Sequence, residues 1–199
     1  KYILHEDKLA SPGKITNKNL IRDLTYYKNI YKNNKKNGVV LLHVFTDQAR
    51  MRLEDSCYEN YFDWLLETID FCKMNNNVNW FFKAHPYENL HPINKEFKKF
   101  IYKKIVENEF IYIDYQKELL HGEVSDFASF VVTCTGTCKI EYPALFKIPV
   151  ISCVGEYAMY DTYNQSHTAK SKEEYKNLIL NSHKLYVDKY SFRKKMAAL

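Results

Sequence analysis

The sequence has 199 residues, 46% of them hydrophobic and 27% charged, and a formal net charge of +5. This composition is ordinary for a globular protein and excludes wholesale disorder. No apolar run approaches the roughly 20 residues needed to cross a bilayer, and we find no secretory leader. We expect a cytoplasmic protein, with peripheral contact at the inner membrane face as a further expectation.

The charged residues and the cysteines exclude several kinds of site. The lysines are spread along the chain rather than concentrated in one tract, which favours a solvated surface and predicts no nucleic-acid partner. The five cysteines lack the spacing of a disulfide framework. Cys134 and Cys138 have a spacing found in some metal sites, but no second pair of ligands matches them. We therefore predict that they pack in the core and that the protein holds no metal.

Residues 1–37 are predicted to form a linker or a packing helix. Apolar residues recur at helical spacing from Leu20 to Tyr31, which predicts a short amphipathic helix that packs on the main body or on an absent domain. We expect the compact fold to begin at Gly38 and to extend over 38–199 as one domain. A basic helix beginning at Asp188 is predicted to end the chain.

Predicted strands and helices alternate along residues 38–199. Apolar runs predict strands at 39–45, 78–82, 110–113, 130–134 and 149–154. Apolar periodicity predicts helices at 58–72 and 97–105, a helix after Thr137, and one that Ser171 opens with Glu174 in the capping-box position. This alternation predicts the α/β class, with a Rossmann-like parallel sheet, helices on both faces and a ligand beyond the carboxyl ends of the strands.

The turn Thr135-Gly136-Thr137 follows the strand predicted at 130–134. Gly136 allows a positive φ and close approach of the backbone, while the amides of residues 137–139 are the unpaired donors of a new helix. Such a helix start binds phosphate, and the hydroxyls of Thr135 and Thr137 would add donors. The structural alternative is that Thr137 is simply an N-cap, worth about 1 kcal/mol to the helix.

Glu141 lies four residues after Thr137, one turn along the same helix face. Its carboxylate would accept hydrogen bonds from two ribose hydroxyls while a phosphate lies at the helix start. The alternative is an acid that only stabilises the helix dipole. Pro143 predicts that this helix is short or kinked.

The residues Lys83-Ala84-His85-Pro86 end the strand predicted at 78–82. His85 precedes a proline and should have an extended backbone, from which it could donate to the same phosphate, with Lys83 on the same strand face. The alternative is a surface turn in which Pro86 ends the strand and His85 caps a carbonyl. Gly155 follows the strand at 149–154, where contacts to the base or ribose are expected, and His167 is interpreted as a loop residue.

Three spaced motifs together carry a family resemblance: residues 80–86, residues 131–141, and residues 148–151 followed by Gly155 and Tyr160. They resemble the C-terminal half of bacterial capsule polysaccharide biosynthesis glycosyltransferases of the GT-B type, which include Kdo transferases. The pattern is also similar to bacterial sialyltransferases and CDP-glycerol polymerases. The resemblance covers about residues 38 to 180.

This resemblance implies a single GT-B-type nucleotide-binding domain for a nucleotide-sugar donor, expected to be CMP-linked, with no separate cofactor. It assigns phosphate contacts to His85 with Pro86 and to the hydroxyls of Thr135 and Thr137, and a ribose contact to Glu141. A GT-B enzyme carries its acceptor and usually its catalytic base on an N-terminal domain. The expected partners are therefore a glycan or lipid-linked acceptor and that missing domain, and the catalytic residues stay unassigned.

Other functions fit the same residues. A CDP-polyol phosphotransferase, or a UDP-sugar enzyme such as a nucleotide-sugar epimerase, would use the same architecture. A non-catalytic nucleotide-binding or glycan-binding module would keep the fold without the chemistry. A nucleic-acid binder has the least support, because no basic and aromatic motif is localised.

Overall fold

The computed structural model describes residues 24–29, 34–45, 56–89, 95–114, 119–153 and 166–187. Its strands are β1 (Lys36–Leu41), β2 (Val78–Lys83), β3 (Ile111–Ile113), β4 (Phe130–Thr133), β5 (Val150–Ser152) and β6 (His167–Thr168). Within the described ranges these six strands form one sheet in the order β3-β2-β1-β4-β5-β6, and every pairing is parallel. The order reverses between β1 and β4, which makes that gap the topological switch point of the sheet.

Helices cover both faces of this sheet. They are α1 (Leu24–Asn29), α2 (Tyr61–Met74), α3 (Lys95–Val106), α4 (His121–Ser125), α5 (Cys138–Glu141) and α6 (Lys172–Leu180). One apolar core joins a sheet face to α2, α3 and α6. The other core joins the opposite face to α1, α4 and α5. The predicted α/β Rossmann-like sheet with helices on both faces is therefore confirmed.

Polar side chains fix where α2 and α6, two helices of the first core, begin. Asn60 caps α2 by accepting a hydrogen bond from the amide of Asp63 at 2.9 Å. Ser171 caps α6 by accepting from the amide of Glu174, as predicted. The Glu174 carboxylate accepts from the amide of Lys170 rather than from Ser171, so the capping box is shifted by one residue.

The first strand begins and ends earlier than its apolar run predicts. It is β1, Lys36–Leu41, instead of 39–45, because the chain after Leu42 leaves the strand ladder. The helix after Thr137 has a single α-helical turn and continues as a π-helical turn, Tyr142–Phe146, that contains Pro143. The predicted effect of Pro143, a short helix, is confirmed.

Two elements were not predicted, and two predictions fall outside the described residues. His167 lies in β6 rather than in a loop, paired with Ile151. This two-residue strand is polar and too short to produce a pattern. The helix α4 was also not predicted. The C-terminal helix from Asp188 and the ligand contact at Gly155 both lie outside the described ranges.

The helix α1 packs on the main body through Tyr27. The ring of Tyr27 stacks on Phe127 at 5.9 Å between centroids and meets Phe81 edge-on at 6.5 Å. An ion pair between Lys28 and Asp126, 3.1 Å long, closes the same contact. In the part of the chain that the structure describes, no helix is long and apolar enough to span a membrane.

Gly38 allows two large rings to close over the central strand. A Cβ at this position would lie 2.5 Å from Cζ of Phe130 and 2.7 Å from Cζ3 of Trp80, and both rings are buried. The two rings pack edge to face at 5.5 Å. A side chain at position 38 would therefore displace the packing between β1, β2 and β4.

We expect Gly38→Ala to lower the free energy of unfolding by about 1–3 kcal/mol, because overpacking forces buried rings out of their positions. Urea denaturation measures the change. The double variant Gly38→Ala/Phe130→Leu should be less destabilised than the sum of its two single variants, because the smaller leucine side chain leaves room for the new methyl group. Additive effects would contradict the steric explanation.

Candidate functional site

His43, two residues beyond β1, holds the turn that follows β4 across the switch point. Its Nε2 accepts a hydrogen bond from the amide of Thr135 at 3.2 Å and lies 3.1 Å from Oγ1 of Thr133. The Thr133 hydroxyl donates to the carbonyl of Thr135 at 2.8 Å. Both backbone polar groups of Thr135 are therefore engaged, and the direction in which the chain leaves β4 is set.

The His43 ring is neutral. It stacks on the ring of Tyr61, with centroids 4.6 Å apart and planes 5° apart. Burial, with a smaller contribution from nearby His85, lowers the pKa of His43 from 6.5 to about 3. Because Nε2 is an acceptor, the ring proton lies on Nδ1. His43 at neutral pH is thus a fixed acceptor rather than a cation.

Sequence reasoning missed His43, because it lies inside the run VVLLHVF that was interpreted as wholly apolar. The signal was present: a single histidine near the carboxyl end of a central strand, at the edge where ligands bind in such sheets. Neither its partner Thr135 nor its stacking on Tyr61 is visible in the sequence.

The turn after Thr135 presents a row of unpaired amides. Gly136 has φ +114°, a conformation that favours glycine, and both Gly136 and Thr137 are exposed. The amides of Gly136, Thr137 and Cys138 have no hydrogen-bond partner in the described part of the chain. The amide of Lys139, expected to be unpaired, donates to the carbonyl of Gly136 at 3.2 Å. The row therefore comprises residues 136–138, one residue earlier than predicted.

Thr137 does not cap α5 with its side chain. Its backbone is already helical, with φ −62° and ψ −23°, and its hydroxyl makes no capping hydrogen bond. The Thr137 side chain instead contributes to the lowering of the pKa of Glu141. Since the α-helical part of α5 is one turn long, the unpaired amides contribute more to anion affinity than any helix dipole.

Lys83 brings a buried ammonium group to the same edge of the sheet. It is the last residue of β2 and lies in register with Leu41, which in turn pairs with Thr133. The residue is 7% exposed. Burial lowers its pKa from 10.5 to about 8, and the Glu123 carboxylate opposes this shift.

His85 caps an amide rather than a carbonyl. Its Nδ1 accepts from the amide of Tyr87 at 3.1 Å, and the two rings stack at 5.5 Å. Pro86 begins the short 3-10 helix Pro86–Asn89. With Nδ1 as acceptor, the neutral ring carries its proton on Nε2 and can donate from there. His85 is near enough to His43 to influence its pKa, so both rings lie at one edge of the sheet.

The carboxylate of Glu141 is held by a second residue that the sequence did not reveal. Nδ1 of His121, on α4, lies 2.8 Å from Oε2 of Glu141, and both side chains are partly exposed. The hydrogen bond from His121 lowers the pKa of Glu141, burial opposes it, and the His121 charge and Thr137 hydroxyl lower it further. Twenty residues separate the pair along the chain, so no local pattern could have predicted it.

All the predicted site residues except Gly155, which lies outside the described residues, are therefore placed with their neighbours defined. Lys83, His85, Thr135, Gly136 and Thr137 follow the carboxyl ends of β2 and β4, and Glu141 lies one helical turn beyond. We name Lys83, His85 and residues 135–138 the switch-point site. In the described ranges, no group of three His, Cys, Asp or Glu side chains is arranged to bind a metal.

No protein-family model matches the chain, and no curated protein matches it at a significant level. Among solved structures, the chain is similar to the Staphylococcus aureus MnaA–UDP co-structure, with 15% sequence identity and a TM-score of 0.45. The similarity covers 89% of this chain and 46% of that one. The chain thus spans less than half the length of that protein.

The neutral state of His43 makes stability depend on pH. The unfolded chain binds a proton at His43 with pKa near 6.5, whereas the folded chain does so only near 3, so stability falls as the pH drops through this range. His43→Gln keeps an acceptor for Thr135 but does not titrate. Between pH 7 and pH 4 the wild type should lose about 3 kcal/mol more stability than His43→Gln. Urea denaturation at both pH values tests this, and equal losses would contradict a buried neutral His43.

Proposed function

We propose that this domain binds the nucleotide of an activated sugar at the switch-point site and is the donor-binding half of a glycosyltransferase of bacterial surface polysaccharide synthesis. The observation that carries the proposal is the row of unpaired amides at residues 136–138, which His43 orients at the switch point of a parallel sheet. In sheets of this class, ligands bind in the crevice beyond the carboxyl ends of the strands at that point. The expected nucleotide is CMP.

The phosphate of such an activated sugar would be bound by three kinds of hydrogen-bond donor. The amides of residues 136–138 have no other partner among the described residues, and Gly136 has no Cβ to keep a phosphate oxygen away. The Lys83 ammonium supplies a full positive charge from a buried position. The Nε2 of His85 can donate a further hydrogen bond. A phosphate would satisfy the amides of residues 136–138, which have no other partner among the described residues.

The ribose would meet the carboxylate of Glu141. Its two oxygens accept about four hydrogen bonds, so the bond from His121 leaves room for ribose hydroxyls. Because His121 holds the carboxylate, it is oriented before a ligand arrives. Such orientation lowers the entropy cost of binding.

The same groups would support sugar transfer. An acceptor hydroxyl attacks the anomeric carbon, the bond from that carbon to the phosphate oxygen breaks, and the amides with Lys83 and His85 stabilise the departing phosphate. His43 is not a free base for this step, because its Nε2 is occupied by the Thr135 amide. We assign the base and the glycan or lipid-linked acceptor to an N-terminal domain across the cleft, working in the cytoplasm at the inner membrane face.

Titration calorimetry with CMP, CDP and UDP tests the proposal. We expect binding of CMP, and a loss of about 10- to 100-fold in affinity for Lys83→Met, because a hydrogen bond to a charged group is removed. Lys73→Met, at the exposed end of α2, removes the same charge elsewhere and should bind normally. Binding of UDP but not CMP would mean that the donor is a UDP-sugar rather than a CMP-sugar. If none of the three nucleotides binds, nucleotide binding is refuted.

The pH dependence of binding separates Lys83 from the other donors. In the free protein its ammonium loses its proton near pH 8, so nucleotide affinity of the wild type should decrease from pH 7.5 to 9.5. Lys83→Met should show no such decrease. A wild-type affinity that stays constant over this range would mean that Lys83 does not contact the phosphate.

A double-mutant cycle tests whether His121 acts through Glu141. Glu141→Ala should weaken nucleotide binding with the fold intact, and His121→Ala should weaken it less. If His121 acts only by orienting the Glu141 carboxylate, its loss has no further effect once that carboxylate is absent. The double variant should therefore bind as weakly as Glu141→Ala alone. Calorimetry measures the affinities and circular dichroism the fold. Additive losses would show that His121 contacts the ligand independently of Glu141.

A further inference from the structure

Three cysteines that are far apart in sequence meet at the carboxyl end of the sheet. Cys134 follows β4, Cys153 follows β5, and Cys57 precedes α2; we name them the thiol cluster. The Sγ atoms of Cys134 and Cys153 are 3.4 Å apart, and both residues are fully buried. They occupy matching positions on neighbouring strands, each two residues beyond the last paired residues, Val132 and Ile151.

Cys57 joins this pair from the surface side. Its amide donates to the carbonyl of Cys153 at 3.3 Å, and its thiol donates to the same carbonyl at 3.2 Å. The side chain is only partly buried, so it is the member of the thiol cluster that solvent reaches. The hydrogen bond with the Cys153 side chain lowers the pKa of Cys57, and nearby Lys172 lowers it further, while burial and Glu174 oppose the shift.

Packing alone does not require this arrangement. Cys72 is a buried cysteine of the same core, and Cys138 lies in the core on the opposite face of the sheet. A thiol pair in contact, with a third and more acidic thiol bridging it to solvent, is the arrangement in which oxidation of one cysteine leads to a disulfide.

We propose that the thiol cluster is a modification site at which a peroxide oxidises Cys57 and Cys153 then closes a disulfide. This proposal is independent of nucleotide binding. The Cys57 thiolate attacks one oxygen of hydrogen peroxide, the O–O bond breaks, and the departing hydroxide takes up a proton to become water. The Cys153 sulfur attacks the sulfenic sulfur of Cys57 and displaces hydroxide, which takes the Cys153 proton as a second water. Two thiols and one peroxide give one disulfide and two waters.

Cys134 makes the disulfide transferable. Its sulfur lies 3.4 Å from that of Cys153, against about 2.05 Å in a disulfide, so a shift of about 1.3 Å completes the bond. Attack of the Cys134 sulfur on Cys153 breaks the bond between Cys153 and Cys57, and Cys57 leaves as a thiolate that takes up the Cys134 proton. The lowered pKa of Cys57 suits it to be the leaving group. The disulfide then lies in the core directly before Thr135.

Peptide mapping of the peroxide-treated, folded chain tests the proposal. After treatment with equimolar hydrogen peroxide, alkylation in denaturant and digestion, we expect two of the five thiols to be lost. Tandem mass spectrometry should find Cys153 cross-linked within one chain to Cys57 or Cys134, with Cys72 and Cys138 alkylated. Sulfinic acid at Cys57 with Cys153 free, or equal oxidation of all five thiols, would overturn the proposal.

Two variants and a control test whether Cys57 is oxidised first and whether Cys153 then closes the disulfide. Cys57→Ser should slow the oxidation of Cys153 by about tenfold or more, because the acidic, accessible thiol is gone. Cys153→Ser should leave a sulfenic acid at Cys57 that dimedone traps. Cys72→Ala removes a buried thiol outside the cluster and should oxidise like the wild type. An unchanged rate in Cys57→Ser, with circular dichroism showing the fold intact, would refute its role as the entry point.

Discussion

The hydrogen bond from the amide of Thr135 to Nε2 of His43 is the constraint on which the switch-point site depends. It joins two segments that leave neighbouring strands where the strand order reverses, and the Thr133 hydroxyl holds the carbonyl of the same residue. With Thr135 fixed on both sides, the following amides emerge in one direction without a partner among the described residues. A neutral imidazole serves this purpose because it keeps an acceptor where a protonated ring would offer only donors.

Packing within the sheet fixes the positions of the two segments that this hydrogen bond joins. Every residue of β2 and β4 is buried, and the absence of a side chain at Gly38 lets the rings of Trp80 and Phe130 close over β1. The ends of these strands are therefore held in place by packing. Lys83 differs from the other residues of β2, because its charged ammonium is buried at the end of the strand and burying a charge lowers stability. A buried charge with a lowered pKa at a strand end is more typical of functional sites than of cores.

The sequence predicted the parts of this structure that depend on local patterns. Apolar runs located five of the strands, and Pro143 predicted the short helix after the turn. The sequence could not predict β6, because two polar residues make no pattern. It also could not predict the pairing of His121 with Glu141, which exists only once α4 packs beside α5. The role of His43 was hidden by its apolar neighbours. The contact between Cys134 and Cys153 likewise follows from strand order, which spacing along the chain does not contain.

Amide chemical shifts report whether the amides of residues 136–138 bind the phosphate of a nucleotide. In a titration of the 15N-labelled protein with CMP, the resonances of Gly136, Thr137 and Cys138 should shift in a saturable way, because each amide gains a hydrogen bond. Amides on the far side of the sheet, such as those of α3, should stay unchanged. Saturable binding of CMP or UDP that leaves these three resonances unmoved would contradict the account.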